Sequence, residues 1–184
     1  RWQSDLDLIK ALGVDAYRFS IAWPRVQPLG SGAWNPAGLA FYDRLTDGLL
    51  ERGITPHVTL YHWDLPQVLQ EEGGWTNRNV IQWFTNYVEV CIKYFGDRVK
   101  NWIILNEPMV FTGAGYFFGV HAPGKKGLRN FLAAVHHAAL SQAEGGRLIR
   151  QLNPDANIGT TFSCSHIEPY RSVRKDIIAA AKAD

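Results

Sequence analysis

NRNVIQWFTNYVEVCIKYFGDRVKNWIILNEP, residues 77–108, holds one complete helix-to-strand unit. Asn77 offers a cap, and Val80, Ile81, Phe84, Val88, Cys91 and Ile92 recur at helical spacing, which predicts an amphipathic helix from about Arg78 to Phe95. Gly96 stops it. Residues 100–105 (KNWIIL) are rich in branched and aromatic side chains and read as a strand. That strand ends in Asn106-Glu107-Pro108, two polar groups followed by a proline that cannot continue a hydrogen-bonded ladder.

The same unit recurs on both sides. A helix over Asp5–Leu12, closed by Gly13, precedes a strand over Ala16–Trp23. A helix over Pro36–Arg52, with Asn35 as its N-cap and Gly53 as its stop, precedes a strand over Pro56–Tyr61. A long helix over Leu128–Leu152 is closed by Asn153-Pro154 and leads to a strand over Ala156–Phe162, and Val173 to Lys182 is again helical. Alternation of this kind predicts an α/β fold with parallel strands joined by right-handed crossovers. No linker, repeat or shift of composition divides the chain, so residues 1–184 are expected to form one domain. Two architectures fit: a doubly wound open sheet, or part of a (β/α)8 TIM barrel. Successive strands start ~40–55 residues apart, long for a unit with short loops. The excess lies after the strands, where barrel enzymes build their active sites.

Composition removes several function classes. The net charge is +2 and the basic residues are scattered, with no stripe suited to a phosphate backbone, so no nucleic-acid partner is expected. No apolar run is long enough to span a bilayer, so no membrane partner is expected either. Cys91 and Cys164 show neither metal-ligand spacing nor a disulfide framework and read as reduced structural thiols. The histidines, including the pair His136-His137, do not converge on a metal, and Gly113-Ala-Gly115 does not complete a dinucleotide fingerprint. Lys125-Lys126 reads as a solvated loop. The 7 Trp, 7 Tyr and 9 Phe suit a core, and are also compatible with a sugar ligand. A cytoplasmic location is expected; the chain begins at Arg1 without a Met, so a missing leader leaves secretion open, and oligomeric state is not legible.

Three strand ends carry the chemistry. Glu107 follows an apolar strand, and desolvation there would raise its pKa and keep it protonated as a general acid. It could equally be a strand-end carboxylate paired with an Arg, or an N-cap for the segment after it. Asn106 beside it can donate to a hydroxyl. His62 and Trp63 are either sugar contacts or packed core residues. Arg18, inside an apolar strand, needs a partner: a structural ion pair, or a catalytic carboxylate that it holds ionised. Strand alternation puts Arg18 with Ser20 and Ala22, small neighbours that leave room for a ligand, and Phe19, Ile21 and Trp23 on the other face.

Together the blocks Tyr17–Arg25 (YRFSIAWPR), Thr59–Pro66 (TLYHWDLP), Gly73-Gly-Trp75, Trp102–Pro108 (WIILNEP) and Gly119–Gly124 (GVHAPG) resemble the family 1 glycoside hydrolases, the β-glucosidase and β-galactosidase family. The resemblance implies an incomplete (β/α)8 barrel, running from the first helix through the fifth strand, and a retaining double displacement on terminal β-D-glycosyl residues of β-glucosides, related small saccharides or aryl glycosides. It implies Glu107 as acid/base, Asn106 on the sugar 2-hydroxyl, His62 and Trp63 in the glycone subsite and Arg18 close to the nucleophile, with no metal or cofactor. Ile104 stands where the family often has Thr, and Ser163 where many members have Asn. The nucleophile block, Glu-Asn-Gly, and the first strand are missing, and nothing matches Glu168 to the nucleophile, so this chain alone is expected to be inactive. The rival reading is a non-catalytic sugar-binding relative, and a Glu-Asn-Gly block beyond Asp184 would discriminate.

Overall fold

Every strand and long helix that the hydrophobic pattern predicts forms, and the strand order chooses between the two architectures. The computed structural model describes residues 2–183. In chain order the elements are α1 (Trp2–Ala11), β1 (Ala16–Ser20), α2 (Trp23–Val26), α3 (Pro36–Glu51), β2 (Thr55–Tyr61), α4 (Gln67–Glu71), α5 (Val80–Phe95), β3 (Asn101–Asn106), α6 (Pro108–Thr112), α7 (Leu128–Leu152), β4 (Asn157–Thr161) and α8 (Arg174–Ala183). A 3-10 turn at Gly74–Thr76 and a π turn at Gly113–Phe118 complete them. The sheet runs β1-β2-β3-β4, all pairs parallel. A doubly wound sheet reverses its strand order at a switch point; strands that add one after another in sequence order build a barrel wall.

One face of this wall is apolar. Val58, Leu60, Trp102 and Ile104 are each 3% exposed or less, covered by α5 and α7, which pack on each other. Trp23 stacks on Tyr87 with ring centroids 4.8 Å apart, and Trp75 meets Tyr61, Phe84 and Phe111 at 5.1, 6.1 and 5.2 Å. Three of the seven tryptophans, Trp23, Trp75 and Trp102, are thus sealed in the core, where each buried aromatic side chain contributes about 1.5–3 kcal/mol. That part of the aromatic excess is packing. The opposite face carries Arg18, Ser20, His57 and Ile103, all exposed or half-buried.

Helix ends follow local chemistry. Asn35 accepts from the Ala37 N–H at 3.2 Å and Pro36 opens α3. Asn77 accepts from the Asn79 N–H at 2.9 Å, so its cap serves a lead-in turn, and α5 proper starts at Val80. Gly53, after α3, has φ +69°, the left-handed conformation that glycine tolerates.

Two expectations need correction. The first strand stops at Ser20, because Pro24 is placed to open α2 at Trp23; Trp23 therefore leaves the strand's alternation and reaches the core from a helix. Pro108 likewise opens α6, and Pro66 is the N-cap of α4. Lys125 is not a solvated loop residue: its ammonium donates to Gly73 O at 3.2 Å and Thr76 Oγ1 at 3.0 Å. It thereby ties the 119–127 loop to the Gly-Gly-Trp segment. His137 is buried and its Nδ1 lies 2.9 Å from Trp75 O, while His136 is exposed.

Candidate active site

At the C-terminal ends of β1, β2 and β3 the structure brings together Arg18, His62, Trp63, Asn106 and Glu107. What joins them is a break in β3. Its pairing with β4 slips between Ile103 and Asn106, so that Ile103 faces Gly159 but Asn106 faces Thr161. Strict alternation would have put Asn106 on the helix-covered face with Trp102 and Ile104; the extra residue turns it onto the face of Arg18.

Asn106, only 3% exposed, is then the hub. Its Oδ1 accepts from an Arg18 guanidinium nitrogen and, at 2.9 Å, from Thr161 Oγ1. With both acceptor positions of Oδ1 used, the amide orientation is set and the NH2 is left as the donor side. Its main-chain oxygen accepts from Trp63 Nε1 at 2.8 Å. Arg18 also donates from Nε to Thr59 Oγ1 at 3.0 Å. The arginine is exposed on the open face, and these partners are neutral oxygens rather than the ion pair that a buried charge would have required.

His62 lies beyond the last residue of β2, with its Nδ1 2.9 Å from Ser20 Oγ. Desolvation, and then the positive charge of Arg18, hold its imidazole below the ordinary value, with Glu107 pulling the other way. Its ring meets Trp63 at 5.7 Å, and Trp63 meets His121 at 5.6 Å.

Glu107 is half-buried and occupies the N-cap position of α6 with φ +46° and ψ +63°, making no side-chain cap bond. Its backbone N–H is anchored on Thr161 O at 3.1 Å. Trp63 has φ +81°. Among the described residues these two are the non-glycine positions with positive φ, and both lie at this end of the sheet. Such strain costs about 1–3 kcal/mol per residue and persists where the surroundings over-determine it, typically at functional sites.

Thr59 and Thr161, whose hydroxyls hold Arg18 and Asn106, carry no signal of that role in the sequence, and neither does Asp64 within the 59–66 block. Desolvation of a carboxyl does occur at this sheet end, at Asp64, where burial pushes it up to about 6. Beside Trp63 opens a cavity of about 620 Å³ lined in part by Tyr61, Phe111, Tyr116, His121 and Lys125; neither Glu107 nor Arg18 lines it. Glu168, the other carboxylate near the last strand, is exposed and pairs with His166 at 3.4 Å.

A model of glycosyl hydrolase family 1 matches residues 1–184. Beta-glucosidase A of Thermotoga maritima is 49% identical over 179 residues, covering 97% of this chain and 40% of that protein. The aryl-phospho-beta-D-glucosidase BglC of Bacillus subtilis is 44% identical, covering 100% of this chain and 38% of its own length. The structure of the T. maritima beta-glucosidase in complex with glucoimidazole superposes with a TM-score of 0.95 at 48% identity, over 99% of this chain and 41% of that one. The chain thus spans about 40% of the length of the curated relatives it matches. Its four parallel strands are part of a (β/α)8 barrel. Along its whole length, the chain belongs to glycosyl hydrolase family 1.

Proposed function

We propose that the full-length protein is a retaining β-glycosidase, a β-glucosidase by default, and that Glu107 is its acid/base. The observation that carries this reading is the convergence at one end of the sheet of a carboxylic acid, an amide donor, an imidazole, an indole and a guanidinium, within a chain of this family. In the first step the Glu107 carboxyl gives its proton to the glycosidic oxygen as the leaving group departs. A nucleophilic carboxylate outside these 184 residues bonds to the anomeric carbon. In the second step ionised Glu107 takes a proton from water, which displaces that carboxylate and regains the β configuration.

The other side chains bind and orient. The Asn106 NH2, fixed by the two bonds to its Oδ1, donates to the sugar 2-hydroxyl, a contact that strengthens in the transition state. His62, held by Ser20 through Nδ1, offers its other ring nitrogen to a glycone hydroxyl, and Trp63 forms the adjoining wall. Arg18 places a positive charge beside the nucleophile and keeps it ionised. The ligand class is a β-glucoside or related small saccharide; inhibitors and sugar analogues occupy the structures of the T. maritima relative. The 184-residue chain by itself supplies one carboxylate of the two and is inactive on this reading.

The stereochemistry of the first product tests it. Proton NMR of the full-length protein acting on an aryl β-glucoside should show β-glucose before mutarotation. An α-anomer appearing first, or no hydrolysis, overturns the reading.

A further inference from the structure

Two neighbouring residues of the site, Asn106 and Glu107, both meet a single residue of β4. Thr161 Oγ1 donates to Asn106 Oδ1 at 2.9 Å and also lies 3.3 Å from the Glu107 backbone nitrogen, whose N–H bonds the Thr161 carbonyl oxygen at 3.1 Å. These contacts sit where the pairing of β3 with β4 slips, between Ile103 and Asn106. A slip of this kind interrupts the regular ladder. What aims the Asn106 amide there has to come from side chains.

The direction of each bond follows from Arg18. A guanidinium carries donors and no acceptor, so the Asn106 atom that it meets is the oxygen, and the NH2 points away. Thr161 then has to give its hydroxyl proton to that oxygen, and its lone pairs are left to face the Glu107 N–H. Arg18 is itself held through Nε by the hydroxyl of Thr59, a buried residue. One bond to Oδ1 would leave the amide free to swing about that contact; the second, from the neighbouring strand, stops the swing. Asn106 is buried, so losing either bond leaves part of an acceptor unsatisfied and the amide less well placed.

We propose that Thr161 is a positioning residue for recognition of the sugar 2-hydroxyl: its hydroxyl fixes the Asn106 amide in the plane from which the NH2 reaches the sugar, and so sets how strongly the enzyme distinguishes a glycone with a 2-hydroxyl from one without. The catalytic consequence rests on the glycosidase reading and its role for Asn106; the hydrogen bonds themselves do not. Glu107 is spared when the hydroxyl is removed, because the Thr161 carbonyl still accepts from its N–H. The effect of Thr161 therefore falls on the amide and not on the acid/base.

Thr161→Val tests this, since it removes the hydroxyl and keeps a β-branched side chain that suits a strand. In the full-length protein, kcat/KM for an aryl β-glucoside should fall by on the order of three- to tenfold, the usual contribution of one neutral hydrogen bond. For the matching aryl 2-deoxy-β-glucoside, which has no 2-hydroxyl for the amide to meet, it should barely change. Thr161→Ser, which keeps the hydroxyl, should restore the rate on the glucoside. Equal losses on both substrates, as a merely structural role would give, or no loss on either, overturn the proposal. Asn106→Ala separates the two readings: if it loses no more on the glucoside than on the 2-deoxy substrate, the role given to Asn106 fails. In that case, or if the wild type hydrolyses nothing, crystal structures of the variants decide. The Asn106 amide plane should turn from its wild-type position in Thr161→Val and return to it in Thr161→Ser; an amide that stays in place overturns the proposal.

Discussion

Asp64 shows how a single charge beside the site can work against the fold. A carboxyl raised in the folded state binds its proton more tightly there than in the unfolded chain. Its contribution to stability is therefore fully present below about pH 4 and is lost as pH rises through about 6. A shift from 3.8 to about 6 corresponds to at most ~3 kcal/mol, less for a side chain that keeps some contact with water. The expected outcome is that Asp64→Asn in the full-length protein raises Tm at pH 8 and leaves it near the wild-type value at pH 4. An equal difference at both pH values would show that the charge is not the source.

At the scale of elements, two glycines separate close approach from ordinary packing. A Cβ on Gly38, in the first turn of α3, would lie 2.1 Å from the Arg25 carbonyl oxygen, which already accepts from Asn35 Nδ2 at 2.9 Å. Gly38→Ala must push α3 away from α2 and should cost about 2 kcal/mol or more. A Cβ on Gly145, inside α7, would meet Ile104, Phe84 and Val88 at 3.5–3.6 Å, ordinary contacts. Gly145→Ala should be neutral or stabilising by up to about 1 kcal/mol. Opposite shifts of thermal midpoint in the two variants are the check. The same scale explains what was legible in the sequence. The strands and the long helices announced themselves through branched runs, helical spacing and caps such as Asn35. The short helices after β1, β2 and β3 did not, because their prolines read as strand stops while they also start helices. The bulge in β3 left no local signature either: Asn106 reaches the face of Arg18 through a register slip that only pairing with β4 reveals. Lys125 looked solvated because its acceptors, Gly73 and Thr76, lie far away in sequence.

At the scale of the molecule, the chain is a barrel wall whose polar strand ends face one way. β1 and β4 are its edges, each with its other side unpaired within the described residues, and unpaired edges invite further strands. The Arg18–Asn106–Thr161 chain ties β1 to β4 across the open face, and Trp63 joins it through the Asn106 carbonyl. Glu107 follows Asn106 in the chain, anchored on β4 through its backbone and free of a cap bond. The central claim, that its carboxyl delivers the proton to the leaving oxygen, is tested most directly by Glu107→Gln in the full-length protein, assayed on two aryl β-glucosides with leaving groups of different acidity. The glycosylation rate should fall by on the order of 10²–10⁴ for the phenol of high pKa, the usual worth of a general acid, and far less for an activated phenol that departs without protonation. Equal losses on both substrates would contradict it.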